Sequence, residues 1–306
     1  MSERYINNLT GDFSICFSEH LTEHPINFVS FDAKSLDLQK KAVAHLKSDL
    51  VDKVKRGILS RYLYKYRTLE ECKDILKNHH LHFSTIQELR DPFEGRAKIF
   101  CSDVEKVKKR FLKRTQLPYY SGMPPELVDY AKETILKLSD SKFIELQKQA
   151  VQYMFDSCGV FCMTGRRDDV CMWAYYADSH KGVCMKLDLL AQPLLFCPIS
   201  HVGYDRSYHV ADISEHPSDV FFRSVMLKKA ALWAYEDEYR TVATHFAGDY
   251  PFDNPDLISE ITFGYYCPEV DKKAIRQLAA DEGYSNIRYS NITLNPKQYH
   301  LIVKPE

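Results

Sequence analysis

Arg61-Tyr62-Leu63-Tyr64-Lys65-Tyr66-Arg67-Thr68-Leu69-Glu70-Glu71 is the stretch on which the fold turns. Up to Arg67, large apolar or aromatic side chains alternate with basic ones, the period of a strand. Thr68 then stands as an N-cap with Glu71 at N3, a capping box that opens a helix running to about Lys77. Leu81-His82-Phe83-Ser84 follows as a short buried strand. Strand, helix and strand thus succeed one another with little between them.

Upstream, Leu36, Val43, Leu46, Leu50, Val54 and Ile58 recur at three- to four-residue spacing, which predicts an amphipathic helix over 36–59. The first 35 residues are aromatic-rich and broken by Pro25, and read as short strands or an extension. Downstream, 103–115 and 124–157 are rich in helix formers, with Pro118, Gly122, Pro124 and Pro125 between them. Val160–Met163 and Val183–Leu187 read as strands around a helical turn at Trp173–Ala177. Residues 218–235 look helical, 238–244 and 258–264 extended, 270–282 helical, and 286–292 and 298–303 extended. Without the rhythm of a βαβ array, this predicts an α+β fold with a central mixed, mostly antiparallel sheet. Residues 1–59 form the extension and 60–306 the main domain, with a helical insertion at about 103–157.

Of 306 residues, 41 are basic and 42 acidic, so the net charge of −1 gives no global pull toward nucleic acid or anionic lipid. No apolar run reaches the roughly 20 residues that span a bilayer, and no hydrophobic signal-peptide centre follows Met1. Nine scattered cysteines fit reduced thiols and a cytoplasmic setting. The 11 glycines include no G-x-G pair, no Walker-type loop and no G-x-S-x-G elbow, which excludes the common nucleotide and hydrolase motifs.

Four motifs occur in order: Leu63–Arg67; Asp91-Pro92-Phe93-Glu94; Met172–Cys184, containing Trp173-Ala174-Tyr175-Tyr176 and His180-Lys181-Gly182; and Trp233-Ala234-Tyr235-Glu236-Asp237-Glu238-Tyr239-Arg240. Together they resemble the bacterial family catalogued as domain of unknown function 2971, over roughly residues 60–305. Arg90 departs from the asparagine that the family usually places before Asp-Pro-Phe-Glu. The order of strand with aromatic and cation, helix, strand near Ser84-Thr85 and late strand with glutamate also resembles the core of ADP-ribosyltransferases. That likeness implies NAD as substrate and ADP-ribose passed to a macromolecular acceptor, in a toxin or defence setting. It places Lys65 or Arg67 at the first catalytic strand, Ser84 or Thr85 near the second and Glu238, or Glu236, on the third.

The residues themselves support more than one reading. If extended, Glu236 and Glu238 leave one face together with Arg240, and adjacent carboxylates force a raised pKa or a cation between them. Such a pair could face the positive charge that develops as a nicotinamide–ribose bond breaks, or be a solvated acidic turn. Lys65 and Arg67 share a strand face and could hold a pyrophosphate, or guard an exposed sheet edge. Asp91 and Glu94 flank a turn-forming Pro92 and a Phe93 expected to be buried; Asp91 caps a turn or binds, and Glu94 pairs with Arg67 or Arg240. Trp173 and Tyr176, at i and i+3, could stack a ring with His180 assisting, or Trp173 could be core and His180 a helix-end cation.

Two further classes arise from the same residues. Asp91, Glu94, Glu236 and Glu238 could gather around Mg²⁺ in a nuclease, and the aromatic cleft could serve a non-catalytic ligand sensor. The cysteines lack zinc-ribbon spacing and read as small buried hydrophobes. His20-Leu21-Thr22-Glu23-His24 spells a metallopeptidase motif, but Pro25 disfavours the helix it needs. Residues 105–114 carry six cations, a patch for nucleic acid or a solvated helix face.

Overall fold

The computed structural model describes residues 44–45, 47–114, 125–215, 225–243 and 246–306. The predicted strand and helix open it: β1 is Tyr62–Arg67 and α1 is Leu69–Asn78. Thr68 accepts from the Glu71 amide at 3.2 Å, while Glu71 accepts from the Thr68 amide at 2.8 Å, so the capping box is closed on both sides. The helix ends where His79 turns left-handed at φ 50°. Its Cys72, Ile75 and Leu76 are buried. Burial of each of the two larger side chains is worth roughly 1.5–3 kcal/mol.

The remaining strands and helices follow in chain order. β2 is His80–Phe83 and β3 Lys98–Phe100; α2 (Val104–Arg114), α3 (Pro125–Lys137) and α4 (Asp140–Ser157) fill the helical insertion. Then come β4 (Gly159–Thr164), α5 (Val170–Tyr176), β5 (Val183–Asp188), β6 (Ile199–His201), β7 (Gly203–Asp205), β8 (Val210–Asp212), β9 (Lys228–Ala230), β10 (Glu238–Ala243) and β11 (Gly248–Pro251). β12 (Ile258–Phe263), α6 (Glu269–Asp281), β13 (Arg288–Leu294) and β14 (Leu301–Pro305) complete the chain. The expected α+β class is what forms. Eight strands make one sheet in the order β14-β13-β12-β5-β1-β4-β10-β6, antiparallel except for the β12–β13 pair.

Three apolar clusters hold the layers. The largest packs α1 and α6 against Leu63, Met185, Leu187, Ile261 and Phe263 of the sheet. A second joins α2, α3 and α4 through Phe111, Ile135, Phe143 and Phe155 to Val160 on β4. The third sets Trp173 of α5 under Tyr66 and Cys184.

Two segments depart from the sequence reading. Within 218–235, where a helix was expected, residues 228–230 are β9 and Ala231–Glu236 is a 3₁₀ turn; 216–224 lie outside the described residues. Lys228-Lys229-Ala230-Ala231 has good helix formers, but parallel pairing with β7 overrides that local preference. The described part of the predicted 36–59 helix is helical over 47–55; its start, the extension before it and the His20–His24 motif lie outside the described residues.

The feature that makes a site is a split in the sheet. β1 pairs with β5 along its whole length and β4 pairs with β10 along theirs, yet β1 and β4 share one registered pair, Tyr64 with Thr164. Past that pair, Lys65, Tyr66 and Arg67 run beside β4 without a ladder. A cavity of about 220 Å³ lies there.

Candidate functional site

Side chains from four distant segments line this cavity. β1 gives Lys65 and Arg67, the end of β2 gives Ser84, the following turn gives Asp91 and Glu94, and α5 gives Tyr176. Glu236, Glu238 and Arg240 close it from the far side. Segments about 170 residues apart in sequence therefore converge, and nine of the eleven residues singled out above line one cavity.

The acidic end is a closed ionic network. Lys229 Nζ lies 2.5 Å from Glu236, 3.0 Å from Glu238 and 3.3 Å from Glu94. Arg240 forks onto Glu94 at 2.7 and 2.8 Å, takes both oxygens of Glu238 at 2.8 and 3.0 Å, and donates to the Met226 carbonyl. Burial opposes the charge on Glu238, but Arg240 and then Lys229 outweigh it and hold the carboxyl far below its ordinary range. Burial likewise opposes charge on Lys229, and the three glutamates outweigh it upward.

Three carboxylates against two cations leave one negative charge in excess. It is expressed at Glu236, whose pKa burial raises in spite of Lys229 and of the Tyr176 hydroxyl donating at 2.6 Å. Glu236 is not on a strand: it ends the 3₁₀ turn, and a left-handed Asp237 (φ 44°) swings Glu238 onto β10. The two acids meet at Lys229 by that turn, not by strand alternation.

The cationic end is different. Arg67 is 15% exposed at its side chain and, among the described residues, its one ion pair is Glu71 at 3.8 Å. Burial lowers its pKa. Lys65 donates to the Cys162 carbonyl at 2.5 Å and sits 4.9 Å from the Phe161 ring centroid. Burial, then Arg67, lowers its pKa to about 7.

No protein-family model, curated protein or solved structure matches the chain.

Four expectations are corrected by the site's geometry. Trp173 is fully buried, edge-on to Tyr66 and donating its indole N–H to the Arg167 carbonyl, so it is a core residue. His180 lies outside the cavity lining, in a left-handed run with Asp178 and Ser179 (φ 68°, 43° and 52°), its ring stacked toward Trp173 and edge-on to Tyr266. Arg240 lines the wall, but every N–H of its guanidinium serves Glu94, Glu238 or Met226, leaving none for a phosphate. Phe93 is 60% exposed instead of buried, because Asp91 caps the turn through the Phe93 amide and tips the ring outward.

The cavity also uses Lys229, Trp233 and Thr164, to which sequence reasoning assigned no role, and Arg90, which it marked only as a departure from the resemblance. Trp233 stands 5.1 Å from Lys229 Nζ and, with the half-buried Tyr176 under the Arg90 guanidinium at 5.1 Å, supplies the aromatic walls. Trp233 belongs to the fourth motif, three residues before Glu236. Nothing in the spacing marks Lys229, which lies on a strand its own residues do not favour.

The 178–182 turn positions Arg67 from behind. A Cβ on Gly182 would lie 2.3 Å from the Arg67 carbonyl oxygen, so the turn can press against β1 only with glycine there. Beyond the cavity, the cations of the 105–114 segment divide, with Lys108 and Arg110 engaged inside the fold and Lys106, Lys109 and Lys113 exposed. Lys106 pairs with Glu215, Lys108 with Asp140, and Arg110 donates to the Ile213 and Ser214 carbonyls. Among the described residues no group of three or more His, Cys, Asp or Glu is arranged to hold a metal, and no helix is long and apolar enough to cross a membrane. The eight described cysteines are all unbridged.

Proposed function

We propose that the cavity takes an anionic nucleotide of the NAD type and that the protein is an ADP-ribosyltransferase-like enzyme, passing ADP-ribose to a macromolecular acceptor. The observation that carries this reading is the separation of charge across one cavity. At one end Arg67 and Lys65 line it, with Glu71 3.8 Å from Arg67; at the other, three glutamates, Glu94, Glu236 and Glu238, meet two cations, Lys229 and Arg240. A pyrophosphate suits the first end, where Arg67 offers a bidentate fork. The second end suits a sugar that turns positive as nicotinamide leaves, because a fixed negative field in a water-poor site stabilises that charge.

In this reading Tyr176 and Trp233 stack a ring, and Glu236, with Tyr176 on one oxygen and Lys229 on the other, faces the sugar. Glu238 becomes a positioning residue, since Arg240 and Lys229 occupy both its oxygens. That saturation favours one second reading, a non-catalytic nucleotide sensor. A metal-dependent nuclease gains nothing here, because Lys229 and Arg240 stand among Glu94, Glu236 and Glu238 where a divalent cation would have to sit.

Calorimetry with NAD and with ADP-ribose, alongside a nicotinamide-release assay on wild type and Glu236→Gln, tests the proposal. Binding with release lost in the variant supports the enzyme. Binding without release supports the sensor. No binding at millimolar NAD sinks both.

A further inference from the structure

We infer that Lys65 is an imine-forming lysine and that the cavity accepts a small phosphorylated aldehyde, its anionic group on Arg67 and its carbonyl carbon at Lys65 Nζ. The inference rests on the anion subsite at Arg67 but not on NAD itself. Its starting point is a contrast between two lysines of one cavity. Lys229 touches three carboxylates, whereas Lys65, among the described residues, makes no ion pair.

What faces Lys65 is a backbone carbonyl and the Phe161 ring, with Arg67 on its own strand, Glu71 on α1, Cys162 on β4 and Glu238 on β10 as the charged or titratable groups in range. The two acids do not offset burial and Arg67, so the amine sheds its proton near pH 7. An ordinary lysine is neutral there in roughly one molecule in 2,500. Desolvation beside a second cation is a general way to make a lysine nucleophilic. One N–H committed to the Cys162 carbonyl leaves the lone pair for an electrophile.

The step balances without a co-reactant. The amine lone pair forms the C–N bond as one N–H proton passes to the former carbonyl oxygen; the second N–H proton follows to the same oxygen as the carbinolamine C–O bond breaks, releasing water and leaving the neutral imine. Ser84 and Glu71 line the same cavity. ADP-ribose set free from NAD belongs to the same chemical class, because its terminal ribose opens to an aldehyde on a pyrophosphate.

The test uses pyridoxal 5′-phosphate and pyridoxal at equal concentrations near that of the protein, at pH 8, with borohydride reduction and peptide mapping by mass spectrometry. The expected result is a reduced adduct on the Lys65 peptide before any other, with the phosphorylated aldehyde preferred about tenfold or more. Arg67→Met should remove that preference, and Lys65→Met, which carries no charge and no amine, should remove the adduct. Adducts on exposed lysines such as Lys109 and Lys113 with the wild-type Lys65 peptide unmodified would overturn the inference. Equal labelling by the two aldehydes would overturn the phosphorylated class. Adduct on Lys65 in a protein that calorimetry shows does not bind NAD supports this inference and sinks the dinucleotide reading.

Discussion

Replacing Lys229 by methionine removes the one cation that touches Glu94, Glu236 and Glu238 together. Its side chain is 7% exposed, at the wall of the cavity. Arg240 remains on Glu94 and Glu238, and the heaviest loss falls on Glu236, left with the Tyr176 hydroxyl alone on its carboxyl. Breaking a buried ion pair from one side costs about 3–5 kcal/mol. Methionine fills most of the space, so little of that cost is cavity. The variant can recover it by taking up a proton at Glu236. One proton is worth about 1.4 kcal/mol per pH unit, so the penalty spreads over roughly two to four pH units above the unfolded carboxylate value.

The sign follows from the direction of the shift. A carboxyl whose folded pKa lies above its unfolded pKa contributes stability that is complete below the unfolded value and lost as pH rises through the folded one. Lys229→Met is therefore expected to unfold about 3–5 kcal/mol more easily than wild type at pH 7.5, and to approach wild type toward pH 4.5. Urea denaturation at three or four pH values measures this directly. Adding Glu236→Gln to the variant should return a large share of the loss at neutral pH. A penalty below about 1 kcal/mol, or one that stays constant across the pH range, would refute the assignment of Lys229 as the counter-charge of the cluster.

Three further outcomes follow from the same geometry. Arg67→Met should weaken NAD binding by about 10- to 100-fold while leaving the urea midpoint unchanged or higher, because burial of its guanidinium is scarcely compensated; calorimetry and denaturation read the two effects separately. Trp173→Ala should cost about 3–5 kcal/mol of stability, whereas Trp233→Ala should spare stability and weaken ligand binding by about tenfold, a contrast that thermal melts and titrations distinguish. Nicotinamide release should fall on acidification with an apparent pKa above the ordinary carboxylate range, since Glu236 must be ionised to act, and a profile unchanged in Glu236→Gln would remove that residue from the chemistry.

What the sequence made legible was local. The alternation at 61–67 and the Thr68–Glu71 box are short-range signals, and the strand and helix they announce form with the expected boundaries. The late strands and the helix at Glu269–Asp281 are likewise within a few residues of their expected places. What stayed hidden was tertiary. Lys229 lies on a strand that exists only because β7 is beside it, and Glu236 reaches the cluster through a left-handed Asp237 that no periodicity encodes. Trp173 and Tyr176 share a helical spacing, yet only burial decides that the first is core and the second reaches Glu236.

The same limit explains why the cavity itself could not be read from the chain. It depends on two ladders that meet at Tyr64–Thr164 and then diverge. Had β1 continued to pair with β4, the Cys162 carbonyl and the β1 backbone would have satisfied each other, and Lys65 would have had no carbonyl to hold. The split exposes that carbonyl, the lysine takes it, and Arg67, laddered to Val183 of β5 on one edge, has no β4 ladder on the other. A sheet that parts in this way carries unpaired main-chain groups in its middle, which an ordinary fold avoids. The chain meets that cost with Lys65 on the Cys162 carbonyl and with the Ser84 backbone, which exchanges both hydrogen bonds with Val160 at 3.0 and 2.8 Å. The charge separation is thus a consequence of the missing ladder, and any substitution that restored pairing between β1 and β4 would abolish the cavity and its field together.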